Sequence, residues 1–261
     1  MIFKRQIPNK IVNILIERYE EEALFLNKNN EYYDYKKLLT SKKKIPINEF
    51  KNFIVKTRDD QFTNFDYYRR NKSFNSTFQI DVKFKNFLYI KFASFQDASA
   101  RFVDYISETS LPFLIIDLRD NIGGNVEECV KIANSLLPNN CNIVNLKYKR
   151  KKLSYLSDEH FKKFEKIFIF VNEYTISSAE ILALTLKTNL NNIFVLGNST
   201  FGKDIGQTTY INKKYNYVFN ISTFKWDVNG HHPSDIINIK MNKQVLQLDD
   251  YYRVMLSKVE T

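Results

Sequence analysis

Three short stretches of this 261-residue chain hold residue types that can do chemistry together. Thr175-Ile176-Ser177-Ser178-Ala179-Glu180 places a serine where an apolar helix begins. Phe201-Gly202-Lys203-Asp204-Ile205-Gly206-Gln207 sets a lysine between two glycines. A serine hydroxyl becomes a competent nucleophile when a nearby base accepts its proton. Lysine serves as that base when its neutral form is populated, and desolvation lowers its pKa by up to several units from about 10.4. Gly202 and Gly206 would let backbone pack closely round Lys203, with Phe201 as a nonpolar wall and Gln207 fixing the amine without adding charge. The third stretch, Asp117-Leu118-Arg119-Asp120-Asn121-Ile122-Gly123-Gly124, ends in glycines that can turn an N–H inward. The amide of Ser178, unpaired at a helix start, and that of Gly123 or Gly124 would then stabilise the oxyanion of a tetrahedral intermediate.

Each stretch also has a plain structural reading. Ser177-x-x-Glu180 has the form of a capping box, and most such boxes only start a helix. Phe201-Gly202-Lys203 reads as a turn with a solvated lysine, and Asn121 to Gly124 as a strand-to-helix turn. Residue chemistry alone therefore supports a candidate site and no more.

The order of the three stretches adds a resemblance. The chain resembles the carboxy-terminal processing peptidases, or tail-specific proteases, over roughly residues 85 to 240. The family's Asp-Leu-Arg-x-Asn-x-Gly-Gly, (Thr/Ser)-x-Ser-Ala-x-Glu and Thr-Phe-Gly-Lys-x-x-x-Gln segments correspond to Asp117 to Gly124, Thr175 to Glu180 and Thr200 to Gln207. Its Gly-x-x-Pro-Asp segment appears as Gly230-His231-His232-Pro233-Ser234-Asp235. The resemblance implies Ser177 as nucleophile, Lys203 as general base and Gln207 as the residue that orients the lysine. It implies peptide or unfolded-protein substrates and no cofactor or metal. Lys203 follows Ser177 by 26 positions, one more than the family spacing, and an insertion in the polar turn Thr188 to Asn192 accounts for it. Ser178, 25 positions before Lys203, competes as nucleophile. Ser177 is preferred because its spacing to Glu180 lies inside one helix.

Other chemistries find less support. His160 sits in a charged stretch that reads as a solvated helix face, and His231 and His232 sit in a turn before Pro233. Three scattered histidines and two lone cysteines, Cys129 and Cys141, supply neither a Ser–His triad, a zinc site nor a disulfide framework. The net charge of +10 comes with no nucleic-acid motif, so specific nucleic-acid binding is not expected. Ile11 to Ile16 is too short and polar for a signal peptide or membrane span, which predicts a cytoplasmic protein where many relatives are exported.

The elements that must position these residues follow from apolar patterning. Residues 1–75 read as an N-terminal helical accessory segment. Ile11 to Leu26 has near-helical spacing after Pro8, with Glu20 to Glu22 on its outer side. Tyr32 to Leu39 and Ile47 to Thr57 follow as two more helices, and Arg69 to Thr77 reads as a polar linker. Residues 76–261 read as the catalytic domain. Strands are expected at Phe87 to Ala93, Pro112 to Leu118, Lys166 to Val171, Ile193 to Leu196, Asn216 to Thr223 and Ile236 to Ile239. Helices are expected at Asp97 to Glu108, Asn125 to Leu137 and from Ser177 to about Leu190. Strands alternating with helices give an α/β layered core; the resemblance makes it the ClpP/crotonase-like fold of strand–strand–helix repeats. All six glycines lie from Gly123 onward, so the PDZ domain common in the family is not expected. Substrate choice would then fall to the N-terminal segment, a partner or a homo-oligomer. The expected function is a PDZ-less serine endopeptidase that matures a specific peptide or protein. The alternatives are a non-catalytic peptide-binding protein and a crotonase-like acyl-CoA enzyme.

Overall fold

Continuous apolar runs such as Phe113-Leu114-Ile115-Ile116 and Ile167-Phe168-Ile169-Phe170 suit strands buried on both faces, which is the environment of a parallel sheet. A computed structural model describes residues 6–68, 78–158, 161–241 and 246–259. Along the chain the elements begin with β1 (Gln6–Pro8), α1 (Asn9–Glu22), α2 (Asn30–Thr40), β2 (Lys44–Pro46), α3 (Ile47–Thr57) and β3 (Asn64–Tyr67). Next come β4 (Gln79–Lys83), β5 (Phe87–Lys91), α4 (Ser99–Glu108), β6 (Phe113–Asp117), α5 (Val126–Asn134), β7 (Asn142–Tyr148) and β8 (Lys152–Leu156). The chain continues with β9 (Lys166–Phe170), α6 (Ser178–Asn189), β10 (Ile193–Gly197), β11 (Ile205–Asn212), β12 (Tyr217–Asp227), β13 (Ile239–Lys240) and α7 (Leu248–Leu256).

These elements divide between two compact units: Met1–Lys72 with Lys147–Lys152 and Ile205–Lys225, and Ser73–Leu146 with Leu153–Asp204 and Trp226–Thr261. The division differs from a single cut after residue 75. The first unit takes back two later segments because its helices need a sheet to pack on. Antiparallel β11 and β12 supply it, with β3 pairing Asn64 to Asn220 through Tyr67 to Tyr217. Tyr19, Tyr32, Phe50, Phe53 and Phe65 close a mixed aromatic and aliphatic core with Tyr217, Phe219 and Ile221 of β12. Helix α3 matches its expected span, whereas α1 stops at Glu22 with Ala23 extended. Leu24 and Leu26 therefore leave the helix; the Leu24 amide donates to Ser222 O at 2.9 Å and Leu26 bridges Arg58. Glu20 does not simply face solvent, since it accepts from Tyr32 Oη at 2.5 Å and Lys36 Nζ at 2.7 Å. The expected linker Arg69 to Thr77 and His160 lie outside the described residues.

The second unit is built on a six-stranded sheet of order β13-β10-β9-β6-β5-β4. All neighbours pair parallel except β4, which runs antiparallel to β5. Side chains alternate across it. Phe87, Tyr89, Ile115, Phe168 and Phe170 form one face, with Tyr251 and Met255 of α7 packed on it. Leu88, Ile90, Leu114, Ile116, Ile167 and Ile169 form the other, all under 5% exposed. Helices α4, α5 and α6 pack in sequence, and α6 also meets β10. Strand β13 is shorter than expected and β12 longer. Strand β4, whose Gln79, Asp81 and Val82 are exposed, gave no apolar signal. Among the described residues no helix is long and apolar enough to cross a membrane.

Candidate active site

In an open parallel sheet, the loops leaving the carboxyl ends of the strands are where ligands meet the protein. Three such loops leave strands β6, β9 and β10, which neighbour one another in the second unit. They carry Gly123 and Gly124, Ser177 and Lys203 respectively.

Side chains and backbone knit these loops together. Thr175, fully buried, donates from Oγ1 to Leu118 O at 2.8 Å, and its carbonyl accepts the Phe201 amide at 3.1 Å. Asn172 pairs with Asp120 through Nδ2 to Oδ1 at 2.9 Å and accepts the Asp120 amide at 3.0 Å. The Ile176 amide donates to Asn121 O at 2.9 Å.

Glu180 provides the strongest tie. Its carboxylate, 0% exposed on the first turn of α6, accepts the Ser177 amide at 2.7 Å and the Lys203 amide at 3.0 Å on Oε2, and the Gly202 amide at 2.6 Å on Oε1. The backbones of Ser177 and Lys203 thus hang on one buried anion. Each such charge-assisted bond contributes on the order of 1.5–3 kcal/mol, and the helix N-terminus favours the negative charge. Sequence reading took Glu180 as half of a capping box. Its one detectable signal was a carboxylate three residues into an otherwise apolar helix.

Ser177 caps α6 with φ 57° and ψ −116°. An L residue rarely adopts this conformation, and such strain persists where the surroundings over-determine it. Its hydroxyl makes no bond to the helix it starts. Ser178 is fully buried, and its hydroxyl donates to Gly124 O at 2.9 Å. Of the two serines, Ser177 is therefore the one whose oxygen is not engaged by backbone. Beneath them the buried Cys129 Sγ lies 3.2 Å from Ser178 O, and burial pushes that thiol up.

Gly123 shows why the turn must be glycine: a Cβ there would lie 2.6 Å from Ile176 O and 3.0 Å from both Ser177 Cβ and Ser178 N. The expected apolar packing round Lys203 by its glycines differs. Gly202 has open space beside it and is required for its φ of +84°, while Gly206 lies under the Phe224 ring in the first unit. Phe201 is 49% exposed and forms no wall. The carbonyl of Lys203 accepts from Trp226 Nε1 at 2.9 Å. Gln207 belongs to the first unit, where its Nε2 donates to Phe62 O at 2.6 Å beside a bulge in β11. The structure thus brings Ser177, Ser178, Gly123, Gly124 and the Lys203 backbone together, and gives the Gln207 side chain a partner in its own unit.

Asp117 anchors the glycine-turn loop from below. It is 0% exposed and accepts from Arg119 Nε at 2.8 Å and Nη2 at 2.5 Å and from Tyr89 Oη at 2.6 Å. Burial works against the Arg119 charge, but the Asp117 bonds outweigh it and hold the guanidinium above its ordinary value. Of the histidines, His231 lies 3.6 Å from Asp235. Among the described residues no group of three or more His, Cys, Asp and Glu side chains is arranged to hold a metal.

A family model, Peptidase family S41, matches residues 86–235, and the chain belongs to that family. Two similar curated proteins carry more particular names. The carboxy-terminal processing protease CtpA of Bacillus subtilis is 30% identical over 133 residues, 49% of this chain and 28% of the relative. A probable CtpA-like serine protease of Staphylococcus saprophyticus is 36% identical over 99 residues, 37% of this chain and 20% of the relative. The matches thus span under a third of those relatives' lengths. Among solved structures, a lipoprotein from Streptococcus agalactiae aligns with TM-score 0.74 at 19% identity, covering 97% of this chain and 96% of that one. The photosystem II D1 C-terminal processing protease aligns with TM-score 0.50 at 22% identity over 64% of this chain and 46% of its own. At these identities the structures speak for the fold alone.

Proposed function

We propose that this chain is a serine endopeptidase in which Ser177 is the nucleophile and Lys203 the general base. The observation that carries the reading is the shared carboxylate of Glu180, which fixes the backbones of both residues in the loops that leave the adjacent parallel strands β9 and β10. In this mechanism Ser177 Oγ attacks the scissile carbonyl carbon and gives its proton to Lys203 Nζ. Amides of the Gly123-Gly124 turn and of Ser178 hold the developing oxyanion. Lys203 returns the proton to the departing amine, leaving an acyl-enzyme on Ser177. A water molecule, its proton taken by Lys203, then attacks the acyl carbon and releases the new carboxyl terminus. Gln207 is proposed to orient the lysine, as its place in the Thr200 to Gln207 segment suggests. The substrates are peptides or unfolded proteins. The second unit is proposed to be a ClpP/crotonase-like core; the β4, β5, α4 succession is one strand–strand–helix repeat in keeping with it.

Mass-spectrometric profiling of a diverse peptide library and an unfolded protein tests this, with Ser177→Ala and Lys203→Ala alongside. The expected result is cleavage by the wild type that both substitutions abolish. Cleavage surviving Ser177→Ala would overturn the assignment and turn attention to Ser178.

A further inference from the structure

In the turn after β6 the backbone amides have acceptors as far as Gly123. Arg119 N–H donates to Asp117 Oδ1 at 3.1 Å, Asp120 to Asn172 Oδ1 at 3.0 Å, and Asn121 to Leu118 O at 3.2 Å. Ile122 donates to Ala93 O at 3.1 Å, and Gly123 to the side-chain Oδ1 of Asn121 at 2.9 Å. At Gly124 the series stops: among the described residues its amide meets no acceptor, and neither does the amide of Ser178. Burial follows the same division, with Gly123 buried and Gly124 exposed.

The residue responsible is Asn121. It is 0% exposed, and all its polar groups are committed. Nδ2 donates to Phe92 O at 2.7 Å, which fixes the amide plane, while Oδ1 holds Gly123 and the backbone carbonyl holds Ile176, the residue before the nucleophile. Buried amides almost always find a partner. Here the partner is a side chain that keeps one glycine amide inside the turn and leaves the next one free. Of the two candidate glycine donors, Gly124 is thus the one whose amide is left for a ligand.

We propose that Asn121 is a positioning residue that withdraws the Gly123 N–H into the turn and so presents the Gly124 N–H, with that of Ser178, to the oxyanion. The proposal rests on Ser177 being the nucleophile.

A fluorophosphonate probe supplies a test that requires no known substrate. Ser177 Oγ attacks phosphorus, the P–F bond breaks, fluoride leaves, and the serine proton passes to Lys203. The phosphoryl oxygen of the adduct occupies the oxyanion position. With six glycines in the chain, a protein labelled with nitrogen-15 glycine gives a countable spectrum, and Gly124 is the one glycine that follows another glycine. The expected result is a large downfield shift of the Gly124 amide in the adduct, with Gly123 unmoved and protected from hydrogen exchange before and after. A shift of Gly123 instead, or exchange of Gly123 as fast as Gly124 in the unreacted protein, would overturn the proposal. Labelling of Asn121→Ala should be about 100-fold slower, the scale of losing one oxyanion donor, with Gly123 protection lost. Asn121→Asp keeps an acceptor for Gly123; it should retain that protection and label faster than Asn121→Ala. Equal labelling of wild type and Asn121→Ala would also overturn the proposal. If wild type does not label at all, the nucleophile assignment fails, while Gly123 exchange in wild type and Asn121→Ala still decides the role of Asn121.

Discussion

At Ser177 the conformation that positions the hydroxyl opposes stability. A residue held at φ 57° and ψ −116° stores on the order of 1–3 kcal/mol that glycine would not. Ser177→Gly should therefore melt about 2–6 °C above Ser177→Ala, while neither cleaves peptide; equal melting temperatures by calorimetry would count against stored strain. Glu180 makes the opposite prediction. Glu180→Gln keeps the shape but turns a donor toward N–H groups that need an acceptor, so both stability and turnover should fall. The expected loss is about 2–3 kcal/mol by denaturant unfolding, with turnover down by about 100-fold or more. The segments that carry Ser177 and Lys203 were legible in the sequence because each keeps its spacing inside one helix or one loop. The role of Glu180 was not, since a capping box and a three-amide anchor share the same letters. Gly202 was misread for a similar reason: a glycine required for positive φ and one required for close packing look alike until the neighbours are known.

Elements with a strong local signal were read correctly. Helix α3 begins after Pro46 and ends at Thr57 as its apolar period requires, and β9 and β10 announce themselves as apolar runs. Helix α5 is capped by Asn125, whose side chain accepts the Glu127 amide at 2.8 Å. Asn125→Ala should cost about 1 kcal/mol, measured as a lowered denaturation midpoint with unchanged slope. What escaped reading depends on distant partners. Leu24 and Leu26 fit the helical spacing, yet the Leu24 amide is taken by Ser222, nearly 200 residues away. Strand β4 lies at an edge with exposed side chains, so its pairing with β5 comes from backbone bonds without an apolar pattern.

For the whole molecule, tyrosines set an alkaline limit. Burial pushes Tyr19, Tyr251 and Tyr252 up to about 12, against about 10 in an unfolded chain. The native state holds these protons where the unfolded state has lost them, so their contribution is full below pH 10 and disappears as pH rises through 12. Unfolding free energy measured between pH 9 and 12 should fall steadily across that window, and a flat profile would contradict it. The discontinuous first unit has a consequence for the growing chain. Residues 1–72 carry three helices but lack the β12 side chains Tyr217, Phe219 and Ile221 that close their core. A ribosome must therefore make some 150 further residues before that core can seal, and loop closure of this length slows folding. Nascent helices α1 to α3 would wait with aromatic surface uncovered, as natural clients for a chaperone. An excised fragment ending at residue 75 should show only weak, non-cooperative helicity by circular dichroism.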